Sequence, residues 1–237
     1  MRPLETERKE ARAAETPAFE DDAEAFDAWF ARNQAVFESE LLAERRFLTD
    51  PENTVSIGCG SGLFEKRLGI PRGVEPSSGM ARLAQKRGIS VKLGTAEDVP
   101  LENEAFNGVL LGTVLSYVKD REKAVREAYR ILRRGGHVVV SFLAREGSYA
   151  MLYELAHANG TYDPETAPGH PYPVRFLEGA HWCSTREVTE LLKGAGFVGL
   201  EYVQTLTRHP KYTNDAVEEP TEGHDKGDYI VVRGWKP

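Results

Sequence analysis

The chain has 237 residues, 41% hydrophobic and 28% charged, a balance that suits one soluble domain large enough to bury a core. Its formal net charge is −7 and no long Lys/Arg block appears, which weighs against a phosphate-backbone binder, so no nucleic-acid partner is expected. The two cysteines, Cys59 and Cys183, form no CxxC pair, which argues against both a disulfide framework and a structural zinc site.

Cysteine usage of this kind fits a reducing cytoplasm. The opening MRPLETERKEARAAET is too charged to read as a secretion signal, and no apolar run approaches the ~20 residues that cross a bilayer. Residues 1–22 read as a polar tail, frayed or weakly helical. From Ala23 to Leu48, Phe26, Trp29, Phe30, Val36, Phe37, Leu41 and Leu42 recur at helical spacing and predict two helices ended by Thr49-Asp50-Pro51.

Strands and helices then alternate. Strands are predicted at 54–57, 72–75, 90–93 and 106–111, and helices at 63–68 and 78–87, the latter closed by Gly88. Asp120 is a good N-cap for a helix that buries Ala124, Val125, Ala128, Tyr129 and Leu132 and stops at Gly135-Gly136. His137 to Leu143 is nearly all apolar, as a buried parallel strand should be. Residues 144–183 break the pattern with a helix near 148–158 and a loop rich in Pro, Gly and His. A helix at 185–193, ended by Gly194, and strands at 199–206 and 229–232, a closing hairpin pair, complete the series. The long polar connection 207–228 reads as a mobile loop or a lid. Seven strands in this order predict a doubly wound, mostly parallel α/β sheet, with helices on both faces and ligand at the C-terminal strand ends.

Chemistry is concentrated in VSIGCGSG, residues 55–62. A strand feeds a loop carrying Gly58, Gly60 and Gly62, and a helix follows. Glycine lets backbone turn tightly and approach a ligand, and free N–H groups at the helix start favour a carboxylate or other anion. The spacing is GxGxG, with Leu63 where the dinucleotide fingerprint GxGxxG has its last glycine, so it suits a ligand without a pyrophosphate. Glu75 ends the second strand, 17 residues after Gly58, where a carboxylate can accept hydrogen bonds from a ribose hydroxyl pair.

With these features the chain resembles the class I S-adenosylmethionine-dependent methyltransferases, and more narrowly their ubiquinone/menaquinone-biosynthesis-like type 11 branch. The resemblance runs through VSIGCGSGLFEKRL, GVEPSSGMARLAQKRG, the AEDVP turn, the LRRGG step and AHWCSTREVTELLKGAGF, over about residues 24–206. It implies a Rossmann-like single domain over 23–237, with S-adenosylmethionine as cofactor and S-adenosylhomocysteine as product. Residues 23–48 would form a helical lid and 144–183 an acceptor-side insertion.

The same resemblance assigns contacts. Gly58, Cys59 and Gly60 would line the methionine and ribose side. Glu75 would hold the ribose, with Pro76 and Met80 near the adenosine. Thr95, Ala96 and Glu97 would meet the adenine. Gly112, Thr113 and Tyr117 would face the methionine, and Phe26 and Trp29 would close the top. Two positions depart from the family: Ser56 stands where an acid usually orients the methionine amine, and Asn107 replaces the acid of the "FD" pair.

Methyl transfer from a sulfonium is an in-line displacement in which the protein supplies alignment and water exclusion, and a base is needed only for a protonated nucleophile. No catalytic residue is identified by sequence. His137 is expected to face solvent or backbone at its strand start. His157, His170, Tyr172 and His181 lie in or beside the insertion, where the histidines read as surface residues; no metal spacing appears. Both cysteines read as packing. There is no Pro-Cys pair and no Asn/Asp-Pro-Pro-aromatic run, so nucleobase methylation is disfavoured and a small organic acceptor, reacting at O, C, N or S, is expected. Two alternatives stay open: a non-catalytic cofactor-binding protein, motivated by Ser56 and Asn107, and a nicotinamide oxidoreductase, which the glycine spacing disfavours.

Overall fold

The computed structural model describes residues 17–237. Along the chain run α1 (Pro17–Asp21), α2 (Ala23–Arg32), α3 (Gln34–Arg45), β1 (Thr54–Ile57), α4 (Leu63–Leu68), β2 (Arg72–Glu75), α5 (Ser78–Lys86), β3 (Ser90–Leu93) and β4 (Phe106–Gly112). There follow α6 (Arg121–Ile131), β5 (Leu132–Leu143), α7 (Ser148–Asn159), α8 (Thr185–Ala195), β6 (Val198–Thr205), β7 (Thr221–Glu222) and β8 (Tyr229–Trp235).

The fold is a Rossmann-like α/β sheet with two corrections to the expectation. Among the described residues it has eight strands, in the order β3-β2-β1-β4-β5-β8-β6-β7, and it is mixed. The first five are parallel, whereas β8 runs antiparallel to β5, and β6 antiparallel to both β8 and β7. The eighth strand, β7, is two residues long and lies inside the polar connection, whose composition hid it. That connection also holds a 3-10 helix, Pro210–Asp215, in which Thr213 is buried and bonded to Tyr149.

Burial alternates along the central strands as a two-layer cover requires. Val138, Val140 and Phe142 of β5 face α6 and α8, where Ala124, Val125, Ala128, Val188 and Leu192 cover them. Val139 and Leu110 face the other side, against Phe37 and Leu41 of α3 and Tyr149 of α7.

Local signals set most boundaries. Asp120 accepts from Lys123 N–H at 2.9 Å, Ser77 from Met80 N–H at 3.1 Å, and Ser184 and Glu187 form a capping box. Several boundaries moved, among them the end of the last strand, which runs to Trp235. Leu132 begins β5 rather than ending α6, because its amide region pairs with Phe106 of β4. Helix α8 passes through Gly194, and the left-handed residue that ends it is Gly196. Part of the expected tail is α1; the rest of it, residues 1–16, lies outside the described residues.

Candidate active site

Parallel pairing sets the tips of β1, β2 and β4 side by side: Ile57 aligns with Val74, and Ser56 with Leu110. The loop after β1 is fixed to β2, since Gly58 and Cys59 N–H both donate to Val74 carbonyl, at 2.7 and 3.1 Å. Gly60 has φ +53° and open space where a Cβ would be. Gly62 has φ +74°, and a Cβ there would lie 2.9 Å from Ala84 Cα, so this glycine seats the loop on α5. Cys59 packs over Gly73; burial pushes its thiol far up, out of nucleophilic range.

Glu75 ends β2 at 6% exposure. Its Oε2 accepts from Gly60 N–H at 2.8 Å and its Oε1 from Ser77 N–H at 2.9 Å. Two backbone donors thus fix the carboxylate's orientation. The glycine loop and its acid are therefore one preorganised unit, not two neighbouring features.

These tips open into a cavity of about 240 Å³, the scale of a small organic ligand. All fourteen residues expected at the cofactor border it. Some bring a partner of their own. Glu97 Oε1 accepts from Lys119 N–H at 2.9 Å, which binds the β3–β4 connection to the loop before α6. Thr113 sits at φ +53° with its hydroxyl donating to Gly112 carbonyl. Tyr117 donates to Phe176 carbonyl at 3.1 Å and lies edge-on to Phe19; burial pushes its phenol up.

The N-terminal helices roof the cavity. Trp29 Nε1 donates to His170 carbonyl at 2.9 Å, and Phe26 packs edge-on to Phe19 and Phe30. Asp27 of α2 accepts from Ser61 Oγ and from Arg87, each at 2.5 Å, which ties the roof to the glycine loop. In α1, Glu20 accepts from Ser77 Oγ, Ser78 Oγ and Gly79 N–H. Burial pushes the Glu20 carboxyl up, but these donors outweigh it and hold it down at about 2.

Several wall residues went unforeseen: Phe19, Glu40, Glu44, Glu65, Tyr153, Trp182 and Tyr229. The carboxylates matter most. Glu65 of α4 is 4% exposed and its Oε1 accepts from Ser56 Oγ at 2.7 Å. Glu44 of α3 is 1% exposed; its Oε1 accepts from Ser141 Oγ at 2.6 Å and from Tyr229 hydroxyl at 2.8 Å, while its Oε2 has no hydrogen-bond partner. Burial raises Glu44 to about 7 and Glu65 to about 8 despite these donors. Burial and the nearby Glu44 hold Glu40 well above the ordinary carboxyl range. One signal was available: Phe37, Glu40, Leu41 and Glu44 share one helical face, so the two acids sit in an apolar stripe.

Of the insertion residues, Tyr172 borders the cavity, while His157, His170 and His181 are exposed and do not. Of the two settings expected for His137, solvent or backbone, solvent is excluded. The residue is 2% exposed beneath Trp235, near the opposite end of β5 from the cavity, and burial lowers its pKa. Asn107 is structural: its amide donates to Asp50 at 2.8 Å and its carbonyl accepts from Arg133.

A glycine loop and a fixed, buried acid bordering a cavity at the parallel strand tips are the arrangement of a Rossmann-like ligand-binding class. Residues 55–140 match the family model of a methyltransferase domain. A solved structure from Thermotoga maritima, described as an S-adenosylmethionine-dependent methyltransferase and possible histamine N-methyltransferase, is 36% identical with a TM-score of 0.82. The match covers 92% of this chain and 98% of that one. An uncharacterized protein of Methanocaldococcus jannaschii is 30% identical over 92% of this chain and 98% of its own. A ubiquinone/menaquinone biosynthesis C-methyltransferase of Campylobacter jejuni is 28% identical, over 62% of this chain and 70% of its own.

The chain belongs to the class I S-adenosylmethionine-dependent methyltransferases, in the type 11 branch. It is an enzyme, and S-adenosylmethionine is its cofactor. The nicotinamide alternative is set aside with that membership.

Proposed function

We propose that this enzyme transfers a methyl group to a small organic acceptor held in the cavity beside the β1, β2 and β4 tips. The observation that carries the reading is the Glu75 carboxylate, fixed by Gly60 and Ser77 N–H while facing a cavity of small-ligand size. When bound, the cofactor supplies an electrophilic methyl on a sulfonium. The protein's part is to bind, align and keep out water.

In this reading Glu75 grips the ribose, Met80, Ala96 and Pro76 flank the adenosine, and the backbone at Gly58 and Gly60 meets the amino-acid end. The acid missing at Ser56 is supplied from α4: Glu65 reaches the same place and is held by the Ser56 hydroxyl. A cationic ammonium beside it would favour the ionised carboxylate that burial alone disfavours. This substitution supports catalysis over the non-catalytic alternative, whose main motive was the absent acid.

The fourteen border residues act as one site in a single domain, with 23–48 as roof and 144–183 as acceptor side. No helix among the described residues is long and apolar enough to cross a membrane. Two buried free thiols fit a cytoplasmic setting. The test is incubation with methyl-labelled S-adenosylmethionine and a panel of small metabolites. Label appearing in one small acceptor, with matching S-adenosylhomocysteine, is the expected result. S-adenosylhomocysteine failing to bind would overturn the reading.

A further inference from the structure

The cavity wall carries more carboxyl groups than its cofactor can use. Glu40, Glu44, Glu65, Glu75 and Glu97 border it, and among the described residues no Lys, Arg or His does. Glu97 is engaged with the loop before α6, Glu75 with the glycine loop, and Glu65 with Ser56. Glu44 and Glu40 remain, one turn apart on α3, both under 10% exposed. Glu44 Oε1 is fixed by Ser141 and Tyr229, whereas Oε2 is buried without a donor in a residue that borders the cavity. A buried carboxylate oxygen without a donor is costly, and a structure that orients its twin with two hydroxyls has built a receptor for one.

Its location narrows the guest. A Cβ added to Gly112 would lie 3.3 Å from Glu44 Oε1, so the carboxylate stands at the β4 tip. Around the same chamber stand Tyr153, Tyr172 and Trp182, with Tyr153 stacked on Tyr172 at 5.7 Å and tilted to Trp182 at 5.6 Å. Aromatic faces attract a cation that has shed its water. Among the described residues no group of three acidic, histidine or cysteine side chains is disposed to hold a metal ion. The cation that fits is therefore organic.

Resting on the methyltransferase reading, we propose that the acceptor is a small amine with an apolar or aromatic body, its basic nitrogen pairing with the Glu44 carboxylate, with Glu40 one turn away. Glu44 is the specificity-determining residue of the acceptor site. It selects cations over neutral or anionic molecules of the same shape, because only a cation compensates a desolvated carboxylate. The charged and titratable groups facing Glu44 are Glu40 on its own helix, Glu65 from α4 and Tyr229 from β8.

The test is calorimetry on the full chain with three probes of one skeleton: 2-phenylethylamine, 2-phenylethanol and phenylacetate, each with and without saturating S-adenosylhomocysteine. The amine is expected to bind at least tenfold tighter than the alcohol, and phenylacetate weakest. Glu44→Gln should erase at least tenfold of that preference and leave the Kd for S-adenosylhomocysteine within twofold. Amine binding measured in buffers of different ionisation enthalpy should release protons in the wild type and fewer in Glu44→Gln. Equal affinity for the three probes, no binding of the amine, or an equal loss of S-adenosylhomocysteine affinity in Glu44→Gln each overturns the proposal. The wild-type charge series alone remains decisive should Glu44→Gln not fold. Failure of S-adenosylhomocysteine to bind would strike the methyltransferase reading instead, and the probe series without it still reads the amine site.

Discussion

Ser56 and Glu65 meet at 2.7 Å, strand to helix, where the family usually places one acid on the strand itself. In the proposed reading the α4 carboxylate takes that place, held by the Ser56 hydroxyl. Glu65→Gln is expected to weaken S-adenosylhomocysteine binding by about tenfold, the loss of one charge-assisted bond. Wild-type affinity should rise with pH towards about 8, where Glu65 ionises, and this rise should flatten in the variant. A pH titration of Kd by calorimetry checks both.

The buried acids also predict how stability responds to pH. A carboxyl raised in the folded state binds its proton more tightly there than in the unfolded chain. The folded protein therefore holds more protons between about pH 4.5 and 8, so the free enzyme loses stability as pH rises through that window. Thermal midpoints measured from pH 5 to pH 8 should fall. Glu44→Gln and Glu65→Gln should each flatten the slope, and saturating S-adenosylhomocysteine should reduce it further.

Gly60 and Gly62 should separate binding from folding. Alanine at Gly62 brings a Cβ to 2.9 Å from Ala84 backbone at φ +74°, so the expected cost is about 2 kcal/mol or more of stability. Alanine at Gly60 meets nothing in the protein and costs about 1 kcal/mol of backbone strain, but its methyl stands at the cavity. Chemical denaturation should rank Gly62→Ala as the less stable, and calorimetry should rank Gly60→Ala as the weaker binder.

The roof makes a prediction of its own. Phe19 stacks on Phe176 at 5.1 Å and lies edge-on to Tyr117 at 5.2 Å. Aromatic pairs of this kind contribute about 1 kcal/mol each. Phe19→Ala should leave the sheet intact by circular dichroism and speed S-adenosylhomocysteine release by roughly tenfold in stopped-flow displacement.

Where the sequence was informative, the reason is local. The glycine loop, Asp120 and Ser184 act within a few residues, and the spacing from Gly58 to Glu75 spans one βαβ unit, so each could be read from its neighbours. Glu40, Glu44 and Glu65 act across the fold. Glu44 is 97 residues from Ser141 and 185 from Tyr229, and helical acids ordinarily face water. Strand β7 was missed for a similar reason: two polar residues make no pattern, and only pairing to Val203 and Gln204 defines it. The antiparallel pairing of β6 with β8 matches the expected closing hairpin pair, whereas the antiparallel docking of β8 on β5 depends on long-range register that composition does not encode.

Glu75 carries the central claim, and one calorimetric pair tests it. S-adenosylhomocysteine should bind the wild type, with NADH giving no heat, and Glu75→Ala should lose about 2 kcal/mol or more of that affinity, some thirtyfold in Kd. An unchanged Kd in Glu75→Ala, with the variant folded, would contradict the account.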